Sequence, residues 1–138
     1  MGMQVTERRL ELAIIVDALV VIVFVAVGLR THDEDSTIVA LTNTALPFLI
    51  GLAAGWAVTR AWRRPSRVLT GLAIWPITVL VGMIVRRSVF DRGTATAFVV
   101  VTTLFLGACF VGWRMLFRVL EIRSVRAPQA SGGSFTDR

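Results

Sequence analysis

Four long, nearly uncharged apolar runs dominate this chain of 138 residues and limit what it can fold into. They are Leu12–Leu29, Ile38–Thr59, Val68–Val85 and Thr94–Phe117. A helix rises about 1.5 Å per residue, so roughly 20 apolar residues cross a hydrocarbon layer about 30 Å thick. Backbone groups in hydrocarbon find no water, so each run must satisfy its own hydrogen bonds and is a helix. The valine-rich stretch "VVIVFVAV" favours a strand in water, and the same requirement overrides that preference in lipid. The fold class that follows is an all-α membrane protein with four transmembrane helices, arranged as two tandem helical hairpins. Composition agrees. Hydrophobic residues make up 55% of the chain, charged residues 17%, and the mean hydropathy is +0.72. A soluble domain holds about 45–50% apolar and about 25% charged residues.

Orientation follows from arginine placement. Arg8 and Arg9, Arg60, Arg63, Arg64 and Arg67, then Arg114, Arg118, Arg123 and Arg126 fall on one side of the spans. Arg30, Arg86, Arg87 and Arg92 fall on the other, beside the acidic "DED" of Asp33, Glu34 and Asp35. The richer side is cytoplasmic by the positive-inside rule, which places both termini inside the cell and makes the protein a multi-pass component of the cell membrane. Residues 1–11 form a cytoplasmic N-terminus, 12–118 the transmembrane domain and 119–138 a cytoplasmic tail. The tail's "APQASGGSFTDR" has turn formers and no apolar period, and is expected to be mostly disordered. The first run is longer than a signal-peptide core of about 7–15 residues and carries an acid, so it is expected to stay as a helix.

Several function classes lack a basis in the residues. The net charge of +6 comes from arginines beside the spans, with no basic stripe interleaved with exposed aromatics, so nucleic acid is not an expected partner. All the basic residues are Arg, with no Lys and no Tyr, a bias typical of a GC-rich genome. One cysteine, Cys109, excludes an internal disulfide. One histidine, His32, leaves no metal-ligand spacing and no nucleophile–base set, so neither a metal nor another cofactor is expected and no residue is assigned a catalytic role.

A shift of 57 residues aligns Arg30 with Arg87, Thr37 with Thr94, Ala40 with Ala97, Phe48-Leu49 with Phe105-Leu106 and Gly55-Trp56 with Gly112-Trp113. This pattern suggests an internal repeat of two hairpins with the same topology, spans two and four being equivalent. Each of those spans then ends in a Gly-Trp, with the indole expected at headgroup level. Gly51 and Gly55, and Ala108 and Gly112, stand four apart and are expected to let helices pack closely, within the bundle in preference to a dimer interface.

The polar residues inside the spans are the candidates for a site. Asp17 is an acid in hydrocarbon, which costs about 2.5–3.5 kcal/mol at mid-membrane if unpaired. It should face the bundle and find a partner. Arg114 is the first choice, with Arg60 and the indole of Trp75 as other candidates at similar depth. The pair reads as a lock between spans one and four; a proton or cation site is the functional alternative. Asn43, Thr78, Thr102, Thr103 and Trp75 are candidate path-lining residues, although threonines in helices usually bond back to their own backbone. Pro47 and Pro76 fall within spans two and three, where each removes a backbone bond. At the outer face, Arg30, His32, Arg86 and Arg87 meet Asp33, Glu34, Asp35 and Asp91; these loop charges are expected to anchor helix ends, with a site for an anion or headgroup as the alternative.

The order of these features resembles a known family. Asp17 in span one, "GLRTH" with Gly28, Arg30 and His32, "PFLIG" with Pro47, Phe48 and Gly51, "GW" at Gly55 and Trp56, then Trp75, Gly82, Arg86 or Arg87, and "FLGACFVGWR" closing on Gly112, Trp113 and Arg114 together resemble a small four-helix integral membrane family of GC-rich bacteria and archaea, classed as a domain of unknown function. The resemblance covers most of residues 12–118. It implies an integral membrane protein and assigns no activity. From the residues, the expected role is non-enzymatic association with itself or with a larger membrane complex. The alternative is a small oligomeric transporter or channel for a proton, ion or small solute, its path lined by Asp17, Asn43 and the threonines. A membrane enzyme using His32 or Asp17 as base ranks last.

Overall fold

The computed structural model describes residues 2–31, 38–89 and 96–126. His32, the acidic residues 33–35, Asp91, Arg92 and the tail from residue 127 lie outside the described residues, as do the side chains of Arg30 and Arg126. Four α-helices and one short 3₁₀ turn make up the fold: α1 (Gly2–Thr31), α2 (Ile38–Thr59), a turn at Ala61–Arg63, α3 (Val68–Ser88) and α4 (Thr96–Arg126). No strand occurs among the described residues. All four helices are long and apolar enough to cross a membrane.

The helices outrun the apolar sequence. α1 begins at Gly2 rather than near Leu12, and α4 continues to Arg126, past Phe117. An apolar run measures the thickness of hydrocarbon, whereas a helix continues while its next residues tolerate helical backbone. Arg9 and Glu121 tie these extensions together at 2.7 Å, and the Arg9 guanidinium lies over the Phe117 ring at 5.7 Å.

Neighbouring helices pack in antiparallel register. Phe24 meets Phe48 and Asp17 meets Trp56, so α1 and α2 run oppositely. Phe24 meets Phe105 while Arg9 meets Glu121, giving the same relation between α1 and α4. Gly51 and Gly55 of α2 pack on α3 at Thr78, Gly82 and Ile74. Gly71 and Trp75 of α3 pack on α4 at Phe110, Arg114 and Gly107.

The interior is a set of stripes with a spacing of four residues. In α1 the stripe is Ala13, Asp17, Val21, Val25 and Leu29; in α4 it is Thr102, Leu106, Phe110 and Arg114. Residues four apart share one helix face, and their ridges seat in the grooves of a neighbour. The opposite faces are just as apolar: Leu12, Ile15, Leu19, Leu80, Leu104 and Leu116 all stand exposed. Such an outer surface suits lipid.

Glycines set the closest approaches. A methyl group added at Gly51 would collide with the Thr78 carbonyl, and one at Gly71 would lie 2.7 Å from the Phe110 carbonyl. Ala108 and Gly112 differ from the expectation that they pack within the bundle. Ala108 is exposed, and among the described residues nothing lies within 4 Å of a methyl group built on Gly112. They sit two residues out of phase with the buried stripe of α4, about 200° around the helix at 3.6 residues per turn. Gly107, beneath the Trp75 ring, takes the packing role instead.

Between α2 and α3 the chain turns through Arg60, whose φ of 50° is left-handed. Helices commonly end on such a residue, usually glycine. Backbone bonds from Arg63 to Arg60, Arg64 to Ala61 and Arg67 to Arg64 close the turn, and the Thr70 hydroxyl donates to the Arg64 carbonyl at 2.8 Å.

Candidate functional site

Asp17 and Arg114 are completely buried, and each is placed by the four-residue stripe of its own helix. Arg114 donates from Nη1 to Oδ1 at 2.9 Å and from Nη2 to Oδ2 at 2.7 Å, a bidentate fork on the carboxylate. Two indoles complete the arrangement. Trp56 Nε1 of α2 donates to Oδ2 at 3.0 Å, and Trp113 Nε1 of α4 donates to Oδ1 at 2.9 Å. Each carboxylate oxygen therefore accepts two donors. An ionised carboxylate offers about four lone-pair sites, and all are taken here.

The guanidinium is held as firmly. Its Nε donates to the Pro65 carbonyl in the α2–α3 connection at 3.0 Å, and Nη1 also donates to the Phe110 carbonyl one turn back at 2.9 Å. The Trp113 ring lies against it, 4.4 Å from centroid to Cζ, which adds a cation–π contact. Gly71 of α3 leaves room for the arginine arm, because a methyl group there would stand 2.8 Å from Arg114 Cδ. One ion pair thus joins α1, α2, α4 and the α2–α3 connection, with α3 shaped around it.

Four donors thus occupy the acceptor positions of the carboxylate. A proton or cation arriving at Asp17 would first have to displace an arginine or indole donor. A buried pair of this kind is costly to break, since removing one partner strands a charge at about 3–5 kcal/mol.

The other candidates from the sequence fall in separate places. Arg60 stands exposed in its turn, away from Asp17. The Trp75 indole donates instead to the Thr103 carbonyl at 2.8 Å. Thr102 and Thr103 donate to the carbonyls of Phe98 and Val99 on their own helix, both at 2.7 Å. The Thr78 hydroxyl is fully buried and has no hydrogen-bond partner among the described residues. Asn43 is half-buried near the start of α2. Between these groups, Phe24, Phe48, Phe98 and Phe105 fill the space with rings whose centroids lie 5.4–6.1 Å apart. In the outer-face cluster, Arg86 lies over the Phe98 ring at 4.5 Å and Arg87 is exposed. Arg87 ends an open apolar groove of about 650 Å³ between α3 and α4, lined also by Trp75, Leu80, Met83 and Thr103.

Trp56 and Trp113 are the site residues that sequence reasoning missed. Indoles beside a Gly suit the headgroup level, and the helix ends invited that reading. The available signal was an acid in hydrocarbon at the depth of two donor-only side chains.

The model of a family described as "Protein of unknown function (DUF3054)" matches residues 14–117. No curated protein and no solved structure matches the chain.

Proposed function

This chain belongs to the DUF3054 family, and from that premise we propose that it is a non-enzymatic membrane protein that works by association, with itself or with a larger membrane complex. The observation that carries the reading is the saturation of Asp17. The buried acid is taken up by four donors from Arg114, Trp56 and Trp113. The clamp makes the bundle rigid, and the surface left for function is its apolar exterior. The groove between α3 and α4 is the recess that an apolar side chain of a neighbouring transmembrane helix fits. Close helix packing in lipid depends on such complementary contact, since burial from water no longer drives it.

In the same reading the chain spans the cell membrane as two tandem hairpins with both ends in the cytoplasm, following its arginine distribution. The contacts of α1 favour a repeat: Trp56 and Trp113, 57 positions apart, both donate to Asp17, and Phe48 and Phe105, equally spaced, both pack on Phe24.

Cross-linking in native membranes tests association. A Cys109→Ala background carrying Leu80→Cys places one thiol at the groove. The expected result is a cross-linked species above the monomer, either a dimer or an adduct with a second membrane protein. Only monomer, together with a monomeric particle in mild detergent, overturns the proposal.

A further inference from the structure

At the end of the bundle where α1 begins and α4 finishes, a cavity of about 320 Å³ opens against the α2–α3 connection. Arg9, Arg63, Arg64, Arg67 and Arg118 line it, with Glu121 as its one carboxylate. Arg9 and Glu121 offset each other at 2.7 Å. Four more arginines line the same cavity. Like charges gathered around one cavity repel, and an anion bound there relieves them. The planar guanidinium fork matches the oxygens of phosphate in bidentate fashion. α3 also begins here, at Val68, directly after Arg67, and brings the positive end of its dipole.

The depth of the cavity selects the kind of phosphate. Arg9 lies near the start of the first candidate span, Glu7–Leu29, and Arg118 near the end of the fourth, Thr96–Arg123. Residues 63–67 fall between the second and third spans. The arginines therefore ring the level at which headgroups lie. On the adjoining surface Trp62, Leu116 and Leu120 stand exposed, ready to meet acyl chains. Basic pockets between helices at this level are suited to anionic headgroups. We infer that this cavity is a binding site for the phosphate headgroup of an anionic phospholipid.

The floor of the site gives the lipid a structural consequence. Pro65 lines the cavity, and its carbonyl accepts the Nε–H of Arg114 at 3.0 Å. A phosphate held by Arg9, the connection and Arg118 bridges from outside parts that the Asp17–Arg114 clamp joins from within. The inference requires the helices to lie in a bilayer and is independent of the association proposed above.

The test uses the full chain in nanodiscs of phosphatidylcholine, alone or mixed equally with phosphatidylglycerol, with thermal unfolding followed by circular dichroism. Phosphatidylglycerol is expected to raise the midpoint by about 4 °C or more, as ligand binding to the folded state does for a chain of this size. Arg64→Gln with Arg67→Gln removes that increment, measured against the variant's own midpoint in phosphatidylcholine. Arg8→Gln with Arg123→Gln lowers net charge equally outside the cavity and keeps it. Equal midpoints in both bilayers overturn the inference, as does an increment that survives Arg64→Gln with Arg67→Gln. Inorganic phosphate that reproduces the full increment in phosphatidylcholine also overturns it, by assigning the cavity to a soluble anion. Native mass spectrometry of the wild-type chain supplies a readout free of variants: retained phosphatidylglycerol in preference to phosphatidylcholine is expected, and no preference counts against the site.

Discussion

Asp17 and Arg114, 97 residues apart in sequence, meet side-on with both side chains shut off from the exterior, each carboxylate oxygen facing its own guanidinium nitrogen. Within the buried core, the pair binds α1 to α4 by directional bonds. Asp17→Asn places an amide N–H₂ against donors on at least one side, and Arg114→Gln strands the carboxylate. Each single change is expected to cost about 3–5 kcal/mol. Asp17→Leu with Arg114→Met removes both charges and recovers part of the loss, leaving a coupling of about 1–3 kcal/mol. Recovery stays partial because the Pro65 and Phe110 carbonyls and two indoles lose their partners as well. Denaturant unfolding in detergent measures the cycle; strictly additive losses would mean that the two groups do not act as a pair.

The indoles of Trp56 and Trp113 are donors to the carboxylate and not headgroup anchors. Trp→Phe keeps an aromatic ring and deletes the N–H. Each substitution is expected to lower stability by about 1.5–3 kcal/mol, the range for a hydrogen bond to a charged group. Trp113→Phe should cost more than Trp56→Phe, because the weaker ring quadrupole also loosens its contact with Arg114. The same assay reads both. Indistinguishable, near-zero effects would place these rings at the lipid interface.

How much of this was legible in the sequence depended on which physical constraint wrote it. The spans were readable because hydrocarbon forces helical hydrogen bonding on any apolar run of that length. Asp17 and Arg114 were readable as partners because an unpaired charge in hydrocarbon is costly. The faces of the helices were not. Exposed Leu12, Ile14 and Ile15 are as apolar as buried Val21 and Val25, so no periodic contrast marks the interior. That is also why Ala108 and Gly112 misled. Small residues four apart give a spacing but no phase, and the phase of α4 is set by Thr102, Leu106, Phe110 and Arg114. Helix ends escaped for a related reason: the residues beyond Phe117 leave the apolar run without leaving the helix.

Glycine substitutions separate the packed positions from the open ones. Gly71→Ala sets a methyl group against the Phe110 carbonyl and the Arg114 arm, where backbone must shift to admit it. A loss of about 1–3 kcal/mol is expected, as for other overpacked sites. Gly112→Ala meets nothing within 4 Å and adds helix propensity, so stability should hold or rise by up to about 1 kcal/mol. Thermal unfolding of the two variants side by side checks the contrast. A costly Gly112→Ala would restore that residue to a tight helix contact.

Thr78 offers a prediction of opposite sign to the usual core mutation. Its side chain is fully buried against α2, its hydroxyl lacks a hydrogen-bond partner among the described residues, and a methyl group built on Gly55 would come within 3.3 Å of Oγ1. A buried polar atom left without a partner costs about 1–3 kcal/mol. Thr78→Val keeps the branched shape and removes that atom, so the variant should be more stable by about 1 kcal/mol or more. Thr102→Val makes the comparison, because its hydroxyl already donates to the Phe98 carbonyl and its removal should give no such gain. Denaturant unfolding in detergent resolves a difference of this size. If Thr78→Val instead destabilises the fold, the hydroxyl has a partner in the folded protein, and a wetted path along α3 regains its footing.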